Sequence, residues 1–223
     1  MPPSTIPPSV TTLGKYAFYG CKRLVRLDFA EGSQLTAISE RALGSCSSLV
    51  VLDLPASVTS IATYAFSSCT QLSSVTFGEG SQLGTVGTWA FNSCSALNSI
   101  TIPATVTSIG TYAFYACTQL KSVTFATGSQ LSTIENSAFC KCGELTAIAI
   151  PANVCYIGGD TFKDCGKLSA VSFESKTGWS TVAIVNADLV STPIAATDLN
   201  SAALAATYLT ATYVGGKWER TAS

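Results

Sequence analysis

The chain is 223 residues long, 47% hydrophobic and only 11% charged, with a net charge of −1 and no histidine. That is ample apolar material for a continuous core, and it lacks the basic footprint that holds nucleic acid or anionic lipid by charge. The missing histidine removes the commonest general base and every Ser-His or Cys-His nucleophile pair.

The opening segment MPPSTIPPSV has neither the basic start nor the apolar run of a signal peptide, and no stretch approaches the roughly eighteen uninterrupted apolar residues of a membrane span. Residues 1–9 read as the last strand residues and proline corner of a partial preceding repeat. From Val10 onward the chain repeats itself. Units start at Val10, Leu35, Val58, Leu83, Val106, Leu131 and Val154, so their lengths alternate between 25 and 23 residues as far as residue 173. The true period is therefore a 48-residue pair, visible in TYAFSSCTQLSSVTFGEGSQ (63–82) against TYAFYACTQLKSVTFATGSQ (111–130). Each unit carries more apolar positions than a lone hairpin can bury, and stacked neighbours must supply the missing contacts.

Within a unit the spacing predicts two pieces. GTYAFYAC (110–117) places Ala113, Phe114 and Cys117 at intervals that suit a short helical turn. LKSVTF (120–125), like LVRLDF (24–29) and LNSITI (97–102), puts apolar residues at the first, fourth and sixth positions, as in a strand with one buried face. Short units leave that strand through Pro55, Pro103 or Pro151, which have no N–H to donate. Long units leave through Gly-Ser-Gln after a phenylalanine, and their extra two residues predict a wider turn on every second coil.

Seven of the nine cysteines (Cys21, Cys46, Cys69, Cys94, Cys117, Cys142, Cys165) share one position in the unit and form a packing column. Cys140 and Cys155 stand outside it. Without histidine or a second Cys pair they make a poor zinc signature, so no metal and no cofactor is expected. Asp28 and Asp53 sit on neighbouring strands. They are expected to be a solvated surface pair, and no catalytic residues are assigned.

The outward residues of the predicted strands change character along the stack. Val25, Val50 and Val51 beside Arg26, Asp28 and Asp53 compose an apolar patch with a charged rim, joined further along by Asn98 and Lys121. A threonine row at 76, 101 and 124 is too short to assign a ligand by itself. On the other side Tyr16, Tyr64, Trp89 and Tyr112 share one offset and Tyr19 and Tyr115 another. Half-buried edge packing and an aromatic interface both fit that stripe.

Residues 174–223 depart from the repeat and read as a cap, with a helix near 197–213 beginning at Thr197 or Asp198 and with Trp179, Tyr208, Tyr213 and Trp218 available to cover the last coil. At the other end Leu13, Phe18, Leu24, Leu27 and Phe29 lack a coil in front of them. Such an open edge predicts self-association, or further repeats ahead of it in a longer protein.

The string VTSIGTYAFYACTQLKSVTF resembles the BspA-type class of leucine-rich repeat, whose units share an I-x-x-x-A-F-x-x-C-x-x-L-x-x-[IV] core, over roughly residues 5–173. The position that the wider superfamily gives to a buried Asn is here Ser9, Ser57, Thr105 or Asn153. The resemblance implies an α/β solenoid: a right-handed coil with a parallel β-sheet on its concave face, short helical turns on its convex face and a C-terminal cap. It also implies a cell-surface or secreted protein that mediates adhesion. Two functional readings come from this. One is a non-catalytic module binding a protein ligand, host extracellular or another surface protein, through the concave sheet. The other is an assembly unit that joins copies of itself into a homo-oligomer through its open N-terminal end. No nucleic acid and no membrane insertion is expected.

Overall fold

The structure, a computed structural model, describes residues 4–185, 188–212 and 216–221. It is a parallel β-solenoid. Strand β1 (Ser4–Ile6) comes first, and each coil then adds a two-residue strand followed by a four-residue strand. In chain order these are β2 (Thr12–Leu13) and β3 (Arg26–Phe29), β4 (Ala37–Ile38) and β5 (Val51–Leu54), β6 (Ser60–Ile61) and β7 (Ser74–Phe77), β8 (Thr85–Val86) and β9 (Ser99–Ile102), β10 (Ser108–Ile109) and β11 (Ser122–Phe125), β12 (Thr133–Ile134) and β13 (Ala147–Ile150), and β14 (Tyr156–Ile157) and β15 (Ala170–Phe173). The two-residue strands form one continuous ladder from β2 to β14, while the four-residue strands form two sheets, β1-β3-β5-β7 and β9-β11-β13-β15. Between these sides lies the core. Phe66, Phe91, Phe114, Phe139 and Phe162 are fully buried and stack ring on ring at 5.0, 5.2, 5.3 and 5.7 Å, the spacing set by stacked strands.

The predicted helical turns are not helices. Each is a run of β-turns in which the amide groups divide their bonds. In coil one Ala17, Tyr19 and Cys21 donate N–H within the coil to the carbonyls of Gly14, Tyr16 and Phe18, whereas Tyr16, Phe18 and Gly20 donate to Glu40, Ala42 and Gly44 of coil two. Coil five repeats the scheme, with Tyr112, Phe114 and Ala116 reaching Asn136, Ala138 and Cys140. Such alternation needs a left-handed residue at two places in every coil. Tyr16, Arg41, Tyr64, Trp89, Tyr112, Ser137 and Asp160 hold the first, with φ between 53° and 58°, and Gly20, Ser45, Ser68, Ser93, Ala116, Lys141 and Asp164 hold the second. An α-helix would close all these amides inside one coil and leave its neighbours unbonded, so stacking overrides local periodicity.

The alternation of unit length cuts the four-residue side. Where a long coil follows a short one, pairing covers whole strands: β5 with β7, β9 with β11 and β13 with β15. Each of these junctions is closed by an amide just past the strand: Gly78 to Leu54 O at 2.9 Å, and Ala126 to Ile102 O and Glu174 to Ile150 O at 3.0 Å. Where a short coil follows a long one, the equivalent residue is Pro55, Pro103 or Pro151. Proline has no N–H. There β3 and β5 pair only at Arg26–Val51 and Leu27–Leu52, β11 and β13 only at Ser122–Ala147, and β7 and β9 fall into different sheets. Hydroxyl bridges lower on the coil hold these junctions instead: Ser57 Oγ donates to the carbonyls of Ser33 and Leu35, and Thr105 Oγ1 to those of Ser81 and Leu83.

The cysteine column bonds as well as packs. Cys46, Cys69, Cys94, Cys117, Cys142 and Cys165 each donate S–H to a carbonyl of the coil before, at 3.0–3.2 Å. Cys21 has no coil before it and is exposed, as is Cys155, whereas Cys140 is buried; all nine are free thiols. Burial pushes the Cys46 thiol up to about 11 and those of Cys94 and Cys165 up to about 12.

After coil seven the chain adds β16 (Trp179–Val185), β17 (Asp188–Pro193), helix α1 (Ala202–Thr207) and β18 (Lys217–Arg220). Strand β18 runs antiparallel to β14, β16 antiparallel to β18, and β17 lies beyond β16. A 3-10 turn (Asp198–Asn200) leads into α1 and a π turn (Tyr208–Thr212) leaves it. Ser201, not Thr197, caps the helix, accepting from Leu204 N–H at 3.3 Å. Ala205 and Ala206 are its buried residues, and Ala203 is exposed. Trp179 and Trp218 close over Phe173 at 5.3 and 6.0 Å, while Tyr213, at the end of the expected helix, lies outside the described residues.

Two measurements check these points. Ala116 sits at φ 57° and Ala113, two turns back, is buried at an ordinary φ. Ala116→Gly should raise stability by about 1 kcal/mol and Ala113→Gly lower it by at least as much, read by urea denaturation. Because the Cys94 thiol is raised, an unfolded thiol ionises first, above about pH 8.5. Its contribution is full below that pH and falls by about 1.4 kcal/mol per unit above it, about 2 kcal/mol by about pH 10. Cys94→Ala should make the alkaline slope shallower by that share, the other buried thiols of the column keeping theirs.

Candidate binding face

Six of the residues read as a patch come together on the four-residue strands of coils one and two. Arg26 Nε donates to Asp28 Oδ1 and Arg26 Nη2 to Asp53 Oδ2 at 3.1 Å, and Thr76 Oγ1 donates to the free oxygen of Asp53 at 2.6 Å. Asp28 first, then Asp53, raises the Arg26 guanidinium above its ordinary value. Asp53 is thus held by a cation and a hydroxyl and Asp28 by the same cation, an arrangement that fixes a charged rim on this face. Val25 and Val50 project beside this rim at 56% and 37% exposure, and Val51 is half-buried. Asn98 and Lys121 do not join the patch. They adjoin each other, Lys121 N–H donating to Asn98 O at 2.8 Å, on the far side of the break between β7 and β9.

The aromatic residues of the turn side form a ladder. Tyr64 stacks on Trp89 at 5.8 Å and Trp89 on Tyr112 at 4.0 Å, with interplanar angles of 6° and 12°, while Tyr115 meets both Trp89 and Tyr112 edge-on. Tyr16 and Tyr19 form a separate edge-on pair, and Arg41 spans the space between, its guanidinium 4.6 Å from the Tyr64 ring and 5.9 Å from Tyr16. The rings of Tyr64, Trp89 and Tyr112 therefore spend their faces on one another. Their stacking favours edge packing over an aromatic interface, and each ring stands at the left-handed position of its coil.

At the N-terminal end the expected sticky surface is smaller than the sequence suggested. Leu13 and Leu27 are buried, at 3% and 1%, because the coils behind close over them and β1 pairs with β3 in front of Leu27. Phe18, Leu24 and Phe29 are half-buried. Among the described residues no group of three or more His, Cys, Asp or Glu side chains is placed to hold a metal ion, and no helix is long and apolar enough to cross a membrane.

The repeat geometry has a family match. The model for the BspA type leucine rich repeat region fits residues 3–94 and 80–187, in six copies. The chain belongs to the BspA-type leucine-rich repeat family. Among solved structures it is similar to a Treponema pallidum leucine-rich repeat protein, with 27% identity and a TM-score of 0.64 over 74% of this chain and 78% of that one. It also resembles the pneumococcal vaccine antigen PcpA, with 21% identity and a TM-score of 0.52, covering 78% of this chain and 62% of that one. A Bacteroides ovatus leucine-rich repeat protein gives 22% and 0.52, with coverage of 77% and 55%. None of the curated proteins matches the chain. These likenesses support the solenoid. The BspA-type units here differ from the expected helical kind in one respect, since their outer turns carry the inter-coil bonds.

The sequence did not disclose the Arg41 bridge or the break beside Thr76. Proline in the short units was the only signal of the second. If the aromatic ladder is structural, Trp89→Ala should lower stability by about 2 kcal/mol in thermal or urea unfolding. An interface role would change assembly and leave the midpoint in place.

Proposed function

We propose that this BspA-type chain is a non-catalytic protein-binding module, displayed at a cell surface or secreted, that takes a protein ligand on the four-residue strands of coils one and two. One observation carries the reading. Among the described residues the exposed large hydrophobic side chains are Tyr16, Tyr19, Val25 and Val50, and all four belong to the first two coils. Valines beside a fixed Arg26–Asp28–Asp53 rim give a patch that loses little entropy on binding and excludes the wrong charge around its edge. The partner class is a host extracellular protein or another surface protein. A second reading, assembly of copies through the N-terminal end, has its own support: Phe18 and Leu24 are half-buried where the matching Phe66, Leu72, Phe91 and Leu97 are fully buried.

The two readings separate by substitution. Val50→Asp with Val51→Asp should abolish capture of a ligand found by surface plasmon resonance against purified matrix and plasma proteins, with an unchanged melting temperature. Light scattering at micromolar concentration tests the second reading, which a clean monomer would sink.

A further inference from the structure

The break between β7 and β9 opens a groove of about 630 Å³, within the range of roughly 300–1,000 Å³ typical of ligand sites. It belongs neither to the valine patch nor to the aromatic ladder. The wide turn of coil three, Gly78–Gln82, overhangs one side, and the proline corner of coil four, Pro103–Thr105, is recessed beneath it. Its opening follows from the missing N–H of Pro103. The gap is a wedge: at one end Asn98 N–H still reaches Ser73 O at 3.4 Å. A third strand, which needs about 4.8 Å on each side, has no room there.

The lining is chemically selective. Val75 and Ile100, at 5% and 3% exposure, lie at its base, with half-buried Phe77 and buried Pro103 beside them. Ser74, Thr76, Ser99, Thr101 and Gln82 stand around this apolar base. None of the lining residues is charged. Among the described residues the hydroxyls of Ser74, Ser99 and Thr101 make no hydrogen bond to the protein, while Thr76 spends its proton on Asp53 and keeps its lone pairs. A phosphate or carboxylate ligand would call for a cation in such a site. A purely apolar ligand would leave a ring of hydroxyls without use. Short hydroxyls that both donate and accept suit a ligand whose own groups do the same.

We propose that this groove is a binding site for a neutral oligosaccharide, whose hydroxyls pair with Ser74, Ser99, Thr101 and Gln82 while a C–H face lies over Phe77, Val75 and Ile100. Two of the three residues of the threonine row, Thr76 and Thr101, thereby become parts of one site. The site is independent of the valine patch, so the two stand or fall separately.

The test is titration of the isotope-labelled chain, followed by amide shifts, with neutral tri- to hexasaccharides of glucose, mannose, galactose and N-acetylglucosamine, and with sialylated and sulfated chains as charged controls. At least one neutral series should move amides of residues 74–82 and 99–105. Its affinity should fall about tenfold or more in Ser99→Ala with Thr101→Val, the loss of one or two hydrogen bonds, and should be unchanged in Val50→Asp. Both groove substitutions are on exposed strand positions and keep strand-forming or small residues, and an unchanged melting temperature confirms folding. The proposal is overturned if no neutral chain binds at millimolar concentration, if charged chains bind equally well, or if the double variant binds like the parent. Preferential binding of an aromatic or proline-rich peptide in the groove overturns it too.

Discussion

Everything in this molecule rests on how the outer amides are shared. Alternate N–H groups close a turn inside their own coil, and the ones between them reach the next coil, as Tyr112, Phe114 and Ala116 do toward Asn136, Ala138 and Cys140. That division fixes the spacing between coils near the ~4.8 Å of stacked strands, and the phenylalanine ladder at 5.0–5.7 Å and the Tyr64–Trp89–Tyr112 stack follow it. The same spacing lets each buried thiol of the cysteine column reach a carbonyl one coil back. Two left-handed residues per coil are the cost, and non-glycine side chains accept it because the inter-coil bonds over-determine the conformation.

On the opposite side, control passes to a single atom. A hydrogen on the residue after the strand joins Gly78 to Leu54 and Ala126 to Ile102, and its absence at Pro55, Pro103 and Pro151 leaves the strands to diverge. The solenoid is rigid and continuous along its turns and segmented along its longer strands. The charged rim and the groove both lie on the segmented side: Arg26, Asp28 and Asp53 bridge the first divergence, and the groove occupies the second.

The coils, their alternating length, the inward positions and the cysteine column were all legible in the sequence, because seven copies of one pattern average out local ambiguity. The helical turn was not. Ala113, Phe114 and Cys117 have helical spacing, but Tyr112 just before them and Ala116 among them stand at positive φ, and no side chain of that type advertises it. Cooperative bonding between copies decided the backbone there, and a pattern read within one unit does not contain it. The shared offsets of Arg26, Asp28 and Asp53 do place them side by side, whereas Asn98 and Lys121 are separated from them by a break that depends on which junction lacks an amide. Leu13 and Leu27 show the limit of reading an end as open: the three residues of β1 were enough to pair in front of Leu27 and cover it.

The alternating bonds of the outer turns also point one way. In coils one to six the amides equivalent to Tyr16, Phe18 and Gly20 donate toward the C-terminal neighbour, so among the described residues the carbonyls of Lys15, Ala17 and Tyr19 accept nothing from the protein, although the equivalent carbonyls of each later coil do. The stack therefore has chemical polarity, like a column of magnets with one kind of pole at its leading face. Two such faces meeting head to head would oppose acceptor to acceptor. What fits there without penalty is a backbone that arrives with its N–H groups forward, in the same sense and at the same two-residue rhythm as the coils behind it.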